Sequence, residues 1–180
     1  MGKFNFTETK IKDLFIIEPT VFGDERGYFF ESYNKEDFSN AGLDMEFVQD
    51  NESMSTNGVL RGLHFQVKRP QGKLVRVIDG EVFDVAVDLR KGSKTYGMWE
   101  GIYLSSENKK QFYVPEGFAH GFLVTSKTAR FVYKCTNFYD ITDESGIIWN
   151  DEKIGINWPL EKITELKLSE KDKKLGGITL

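Results

Sequence analysis

Residues 73–90 read KLVRVIDGEVFDVAVDLR. Two β-branched runs meet at Asp79-Gly80, a dipeptide of hairpin type, so the spacing predicts a strand, a tight turn and a second strand. In the second run Phe83, Val85, Val87 and Leu89 share one face, and Val82, Asp84, Ala86 and Asp88 the other. One face reads as core and the other as mixed. Working outward, further strands are expected at Trp99 to Leu104, Gln111 to Val114, Gly121 to Thr125 and Arg130 to Phe138. They are separated by Ser105-Ser106-Glu107-Asn108 and Pro115-Glu116-Gly117. With 17 Gly, 15 Phe and 7 Tyr, and most apolar runs short and bounded by turn residues, the pattern is that of an all-β sandwich or barrel. Helical pattern is confined to Lys35 to Ala41 and a stretch after Leu168.

At 180 residues the chain fits one domain spanning its whole length. Hydrophobic residues make up 39% and charged residues 29%, and no apolar run is long enough to cross a bilayer, so a soluble globular protein is expected, with no membrane partner. The opening MGKFNFTETK lacks a signal-peptide core, which predicts a cytoplasmic location. Cys135, the sole cysteine, excludes an intrachain disulfide or a thiolate metal cluster and suits a reducing compartment. The net charge of -4 and the lack of a basic block argue against nucleic acid as a partner. An anionic small ligand would need a few cations converging locally.

The chemistry-bearing residues begin with Gly62, His64, Gln66 and Gln71, followed by Pro115, Gly117 and His120. These resemble the two motifs of the cupin superfamily, whose metal-binding members place His, His and Glu in the first motif and a further His in the second. Here Gln66 and Gln71 stand at two of those ligand positions, so no metal is expected. Imidazoles freed from an ion can act as acid, base or hydrogen-bond donor near neutral pH. A lone strand histidine is more often a satisfied half-buried ring. Alternation nevertheless sets His64 and Gln66 opposite Leu63 and Phe65, and groups His120 with Phe118 and Phe122, so both histidines are expected to face inward.

Longer words then accumulate in order: DERGYF (24–29), QDNES (49–53), VLRGLHFQ (59–66), QGKLVRV (71–77), DVAVDLRKGS (84–93), VPEGFAHGF (114–122) and IIWND (147–151). From about Asp24 to Asp172 the chain resembles the dTDP-4-dehydrorhamnose 3,5-epimerase family. The resemblance implies a cupin-type jelly roll (double-stranded β-helix) with a few short helices, a homodimer and no cofactor. It also implies conversion of dTDP-4-dehydro-6-deoxy-D-glucose to dTDP-4-dehydro-L-rhamnose in dTDP-L-rhamnose biosynthesis. A single-carbon epimerase, a ketoisomerase, a metal-dependent cupin enzyme and a non-catalytic sugar-nucleotide-binding cupin are the alternatives.

Inverting carbons on either side of a ketone needs a base, a cation or donor near the oxygen, and a proton source on the opposite face. The resemblance implies His64 as base, Lys73 as the cation at the enolate oxygen, Tyr133 as the opposite-face acid and Asp172 as the carboxylate orienting the base. Read from the residues alone, Lys73 is equally a solvated strand-start lysine. Tyr133, which shares a face with Phe131 and Cys135, is equally a core tyrosine. Ser169-x-x-Asp172 also reads as a helix capping box. For the substrate the resemblance implies Arg26, Arg61 and Lys171 around a diphosphate, and Glu31, Gln49 and Asn51 as polar contacts. It further implies His120 at the sugar, Tyr139 stacked on the base, and Glu144. Strict alternation would place Arg61 and His64 on opposite faces. A bulge at Gly62, or Arg61 lying just before the regular strand, would bring them together.

Overall fold

The alternating runs form two facing antiparallel sheets in a computed structural model that describes residues 3–178. Thirteen strands follow in chain order: β1 (Phe4–Glu8), β2 (Phe15–Pro19), β3 (Phe22–Asp24), β4 (Gly27–Phe29), β5 (Gln49–Thr56), β6 (Leu60–Gln66), β7 (Lys73–Asp79), β8 (Glu81–Asp88), β9 (Trp99–Ser105), β10 (Gln111–Val114), β11 (Phe118–Val124), β12 (Thr128–Cys135) and β13 (Glu144–Gly146). The first sheet runs β1-β2-β10-β7-β12-β5 and the second β13-β6-β11-β8-β9, while β3 and β4 make a separate hairpin. Helix α1 (Lys35–Asn40) is capped by the Asn34 side chain, and the stretch after Leu168 yields one 3-10 turn, Asp172–Lys174. The all-β jelly roll expected from the sequence is the fold observed.

Three apolar layers hold the sheets. Val75, Phe112, Phe131, Val82, Ala86 and Phe122 fill the space between them. On the outer side of the second sheet Leu63, Phe83, Val85 and Leu123 pack under Ile147, Ile154 and Trp158 of the C-terminal segment. Outside the first sheet Phe38 of α1 covers Phe4, Ile17 and Leu74. Strand β8 is therefore buried on both faces, and its mixed face is the one directed between the sheets, where Asp84 and Asp88 lie beside Val82 and Ala86.

One local expectation is corrected. Asp79-Gly80 closes no hairpin, because β7 pairs with β10 and β12 whereas β8 pairs with β9 and β11. The dipeptide carries the chain from one sheet to the other. The register between β12 and β7 slips next to Asp79, so β7 bends as it leaves its sheet, and Gly80 takes φ +79° where a Cβ would lie 2.0 Å from the Thr128 carbonyl oxygen. A tight turn of this composition serves a hairpin or a crossing equally well; strand pairing decides which. Strand β12 also ends at Cys135 rather than Phe138, because the Gln66 and Gln71 amides bind the Phe138 and Asn137 carbonyls away from the ladder.

The feature that positions the site lies where β6 meets β11. His64 is directly opposite His120, and Arg61 opposite Phe122, so three steps along β6 match two along β11. The extra residue sits at Gly62-Leu63, whose peptide is cis. Leu60 and Leu63 consequently both face the outer layer, and Arg61 and His64 both face inward. Gly62 has φ +119°, and a Cβ there would meet Gly121 Cα at 2.6 Å and the His120 carbonyl oxygen at 2.7 Å. Gly62→Ala is expected to lower stability by about 2 kcal/mol or more, since both the conformation and the space exclude a side chain. Gly176→Ala, with open space around it, should stay within about 0.5 kcal/mol. Urea midpoints for the two variants check this.

Candidate active site

A cavity of about 560 Å³ opens between the sheets, with a recess of about 100 Å³ adjoining it. His64, Lys73, His120, Tyr133 and Glu144 line both, so they surround the junction of the two spaces. Each comes from a different strand. Arg61, Lys171 and Asp172 complete the larger wall, and Tyr139 belongs to the recess.

His64 is held through one nitrogen. Its Nε2 lies 2.6 Å from Oδ1 of Asp172, and its Nδ1 lies 3.8 Å from Glu144 Oε1. Asp172 is 3% exposed, and its other oxygen accepts from the Ser169 hydroxyl at 2.8 Å. The Ser169 hydroxyl in turn accepts the Asp172 N–H at 3.0 Å. The carboxylate is thus taken up by the histidine and the serine hydroxyl rather than by the Ser169 backbone, and the Asp172–Lys174 turn has no side-chain cap, so the capping-box reading is not the arrangement formed. With a carboxylate on Nε2, that nitrogen carries the proton and Nδ1 keeps the lone pair. Burial pulls the His64 pKa below the usual histidine value, against the pull of Asp172 and Glu144 in the other direction.

Lys73 stands at the start of β7 with its ammonium on the cavity, where burial draws its pKa below the ordinary lysine value. It makes no hydrogen bond or ion pair among the described residues, so it is not the solvated lysine that a strand start suggests. Tyr133 points inward from β12, opposite Asn51 and Val75 in register. Its hydroxyl likewise has no protein partner among the described residues, and burial raises its pKa. Asp37 Oδ2 is the one buried side-chain oxygen or nitrogen left without a partner among the described residues. The Lys73 amine and the Tyr133 hydroxyl therefore open to the cavity rather than being sealed in the core.

Around this centre Glu144 accepts from the Tyr139 hydroxyl at 2.5 Å and pairs with Lys171. Burial pushes the Glu144 pKa up, but these two partners hold it below the carboxylate range, and Glu144 lifts the Tyr139 hydroxyl to about 12. Arg61 donates to Ser55 Oγ at 3.1 Å, which leaves the rest of its guanidinium facing the cavity. Gln49 accepts the Tyr139 N–H at 3.0 Å and donates to Asn51 at 2.9 Å, and Asn51 donates to Cys135 Sγ at 3.5 Å. Gln49 thus supports the loop bearing Tyr139, but neither amide lines the cavity or its recess, and Asn51 borders a separate hollow with Asp50 and Arg76. Two further residues expected at the ligand are also placed elsewhere in this chain. Arg26 pairs with Asp24 in the β3-β4 hairpin, and Glu31 pairs with Lys3 and Asn34.

Sequence reasoning missed one member. Asp84, wholly buried on β8, lies 2.9 and 3.1 Å from Nε2 of His120. The signal was an acid on the strand face shared by Val82 and Ala86. The two positions that hold metal in other cupins are occupied by amides with structural bonds. Gln66 donates to the Arg69 and Phe138 carbonyls and accepts the Asp140 N–H, and Gln71 donates to the Asn137 carbonyl. Among the described residues no three His, Cys, Asp or Glu side chains converge as a metal site.

Fold and cavity together define a cupin-type jelly roll lined with proton-transfer groups. A family model described as dTDP-4-dehydrorhamnose 3,5-epimerase matches residues 8–179. The chain is 58% identical over 173 residues to a protein of that name from Methanothermobacter thermautotrophicus, an alignment covering 96% of this chain and 94% of the relative. A crystal structure from Legionella pneumophila, of dTDP-6-deoxy-D-glucose-3,5-epimerase in complex with dTDP-4-keto-L-rhamnose, superposes with a TM-score of 0.92 at 49% identity, covering 97% of this chain and 92% of that one. A 3'-monoepimerase from Streptomyces bikiniensis in complex with dTDP-quinovose follows at a TM-score of 0.86 and 32% identity, covering 94% and 85%. The chain belongs to the dTDP-4-dehydrorhamnose 3,5-epimerase family.

The His64 environment makes a substrate-free prediction. Asp172 and Glu144 both raise the His64 pKa, Asp172 more strongly. Asp172→Asn should therefore lower it further, and by more than Glu144→Gln does. An NMR pH titration of the imidazole carbons measures both.

Proposed function

We propose that the chain epimerises dTDP-4-dehydro-6-deoxy-D-glucose to dTDP-4-dehydro-L-rhamnose, by removing and returning a proton at C3 and C5. The observation that carries this reading is His64, anchored to Asp172 through Nε2 with its basic Nδ1 toward the cavity. Nδ1 takes the proton from a carbon next to the ketone, and the C–H electron pair delocalises onto the ketone oxygen. The enolate oxygen is met by the Lys73 ammonium, a preorganised cation in a partly dry site. Asp172, and Glu144 at 3.8 Å, steady the imidazolium that results. The Tyr133 hydroxyl, free of protein partners among the described residues, returns a proton from the other face of the sugar. No step needs a cofactor, because the ketone is itself the electron sink.

Substrate binding follows from the same wall. Arg61 and Lys171 supply the local cations for the diphosphate that an acidic chain must concentrate, His120 meets the sugar, and the half-exposed Tyr139 ring is available to stack on the base. Glu144 and Gln49 hold the Tyr139 hydroxyl and N–H, and Asn51 braces Gln49.

Arg26 and Glu31 enter only if the enzyme is a homodimer. The β3-β4 hairpin carries Arg26 together with Phe22, Tyr28 and Phe29, which are 58%, 61% and 66% exposed. A second copy covering these rings would let the hairpin deliver its arginine to the neighbouring cavity. Mixing Arg26→Ala subunits with His64→Ala subunits should then restore part of the activity that neither has alone. No recovery after demonstrated subunit exchange rules out a contribution across subunits.

The central experiment is incubation of the 4-keto sugar nucleotide in deuterated water. Deuterium is expected at both C3 and C5. Label at neither carbon would overturn the epimerase reading, and label at one would move the chain to the single-carbon class represented by the Streptomyces relative. His64→Ala should abolish the exchange, whereas Tyr133→Phe should depress net epimerisation more than exchange. Equal loss in both variants contradicts separate roles.

A further inference from the structure

The base is not the only histidine in the cavity whose ring nitrogens have been given different tasks. His120 is the direct register partner of His64 on the neighbouring strand, and its ring lies over Phe131 with centroids 6.2 Å apart. Both oxygens of Asp84 approach the same nitrogen, Nε2. Asp84 has no other hydrogen-bond partner among the described residues, so a single N–H must satisfy a carboxylate that is 0% exposed. A buried carboxylate left with a lone pair facing it would be severely destabilised. With Asp84 as the carboxylate, the proton therefore sits on Nε2, and Nδ1 is the nitrogen that keeps its lone pair in the neutral ring. Nδ1 has no protein partner among the described residues, and it is not among the buried unsatisfied atoms. It opens to the cavity that the ring lines.

We propose that Asp84 is a specificity-positioning residue: by fixing the proton of His120 on Nε2, it makes Nδ1 a hydrogen-bond acceptor for a ring hydroxyl of the bound sugar. The inference rests on the proposed sugar-nucleotide reading for the identity of the ligand, but not for the state of the ring. Of the other polar groups on the cavity wall, Lys73, Arg61 and Lys171 can only donate, Tyr133 has a hydroxyl to give, and the lone pair of His64 Nδ1 is reserved for the carbon-bound proton. The carboxylates Asp172 and Glu144 are occupied by His64, Ser169, Tyr139 and Lys171. A hydroxyl beside the ketone must give its hydrogen to something. Nδ1 of His120 is an acceptor at the junction with no competing protein donor among the described residues. A site built to pair a hydroxyl rejects an analogue that lacks it, because its own polar atom is then stranded.

Two measurements test this, and they separate its parts. In wild-type protein without substrate, nitrogen-15 NMR of His120, read across a pH series where the ring carries a single proton, should show that proton on Nε2 and Nδ1 bare. The opposite tautomer overturns the role of Asp84 whatever the enzyme's substrate is. Asp84→Asn offers an amide N–H to Nε2 and should shift the ring toward the Nδ1–H form, as seen in the same spectra. Exchange into C5 of the 4-keto sugar nucleotide is then compared with its 2-deoxy and 3-deoxy analogues. Wild-type kcat/KM should fall by about tenfold or more for the analogue lacking the paired hydroxyl, and that discrimination should shrink in Asp84→Asn, mostly through KM for the full substrate. Equal turnover of all three sugars by the wild type overturns the acceptor assignment even when the tautomer is as expected. If the wild type exchanges none of them, the epimerase reading fails, while the spectra still decide the Asp84–His120 pairing.

Discussion

The close approach of β6 and β11 at Gly62 and Gly121 is the constraint on which the site depends. Neither position has room for a Cβ: one at Gly121 would lie 2.6 Å from the Arg61 carbonyl oxygen, much as one at Gly62 would strike Gly121. Because the backbones can touch there, one extra residue fits into β6 without separating the strands, and the side-chain parity reverses across it. That reversal lets an apolar pair, Leu60 and Leu63, seal the outer layer while Arg61 and His64 both look into the cavity. Packing and chemistry are served by the same inserted residue.

Electrostatics then divides the cavity's charges into fixed and available ones. Asp172 and Asp84 are buried and each is committed to one imidazole nitrogen. Glu144 is committed to Tyr139 and Lys171. The Lys73 ammonium and the Tyr133 hydroxyl are left uncommitted among the described residues, and burial moves each of them toward its neutral form. Groups that hold shape are paired, and groups suited to chemistry are not. Such an arrangement costs stability and gains preorganisation, since the uncommitted groups need no rearrangement when charge develops on a ligand.

Much of this was legible in the sequence because strands announce themselves by period. Alternation located β8, β9 and β10 and placed His120 with Phe118 and Phe122, and the clash between Arg61 and His64 signalled an irregularity that the pairing of β6 with β11 resolves as a bulge. What alternation cannot carry is partnership between strands. Asp79-Gly80 has the chemistry of a hairpin yet crosses between sheets, because the choice lies in which distant strands pair. Asp84 went unrecognised since its partner is 36 residues away on another strand. The competing readings of Asp172 could not be separated from the local motif Ser169-x-x-Asp172, because the histidine that draws the carboxylate away from a capping bond lies 108 residues earlier in the chain. Arg26 and Glu31 show a different boundary: a single chain's geometry leaves them outside the cavity.

The amide of Gln66 deserves a last look for what it forecloses. Buried in the strand that carries His64, it holds three backbone groups, the carbonyls of Arg69 and Phe138 and the N–H of Asp140. Two of them, at Phe138 and Asp140, bracket Tyr139, and the third ties in the segment between β6 and β7. An imidazole at this position could serve a metal ion but could not hold all three, and each buried backbone group released costs about 1–3 kcal/mol. Gain of a metal ligand at this position would thus have to pass through a state in which the loop is already loose and the ion not yet bound. The latch sets a threshold against metal chemistry that a single substitution does not cross.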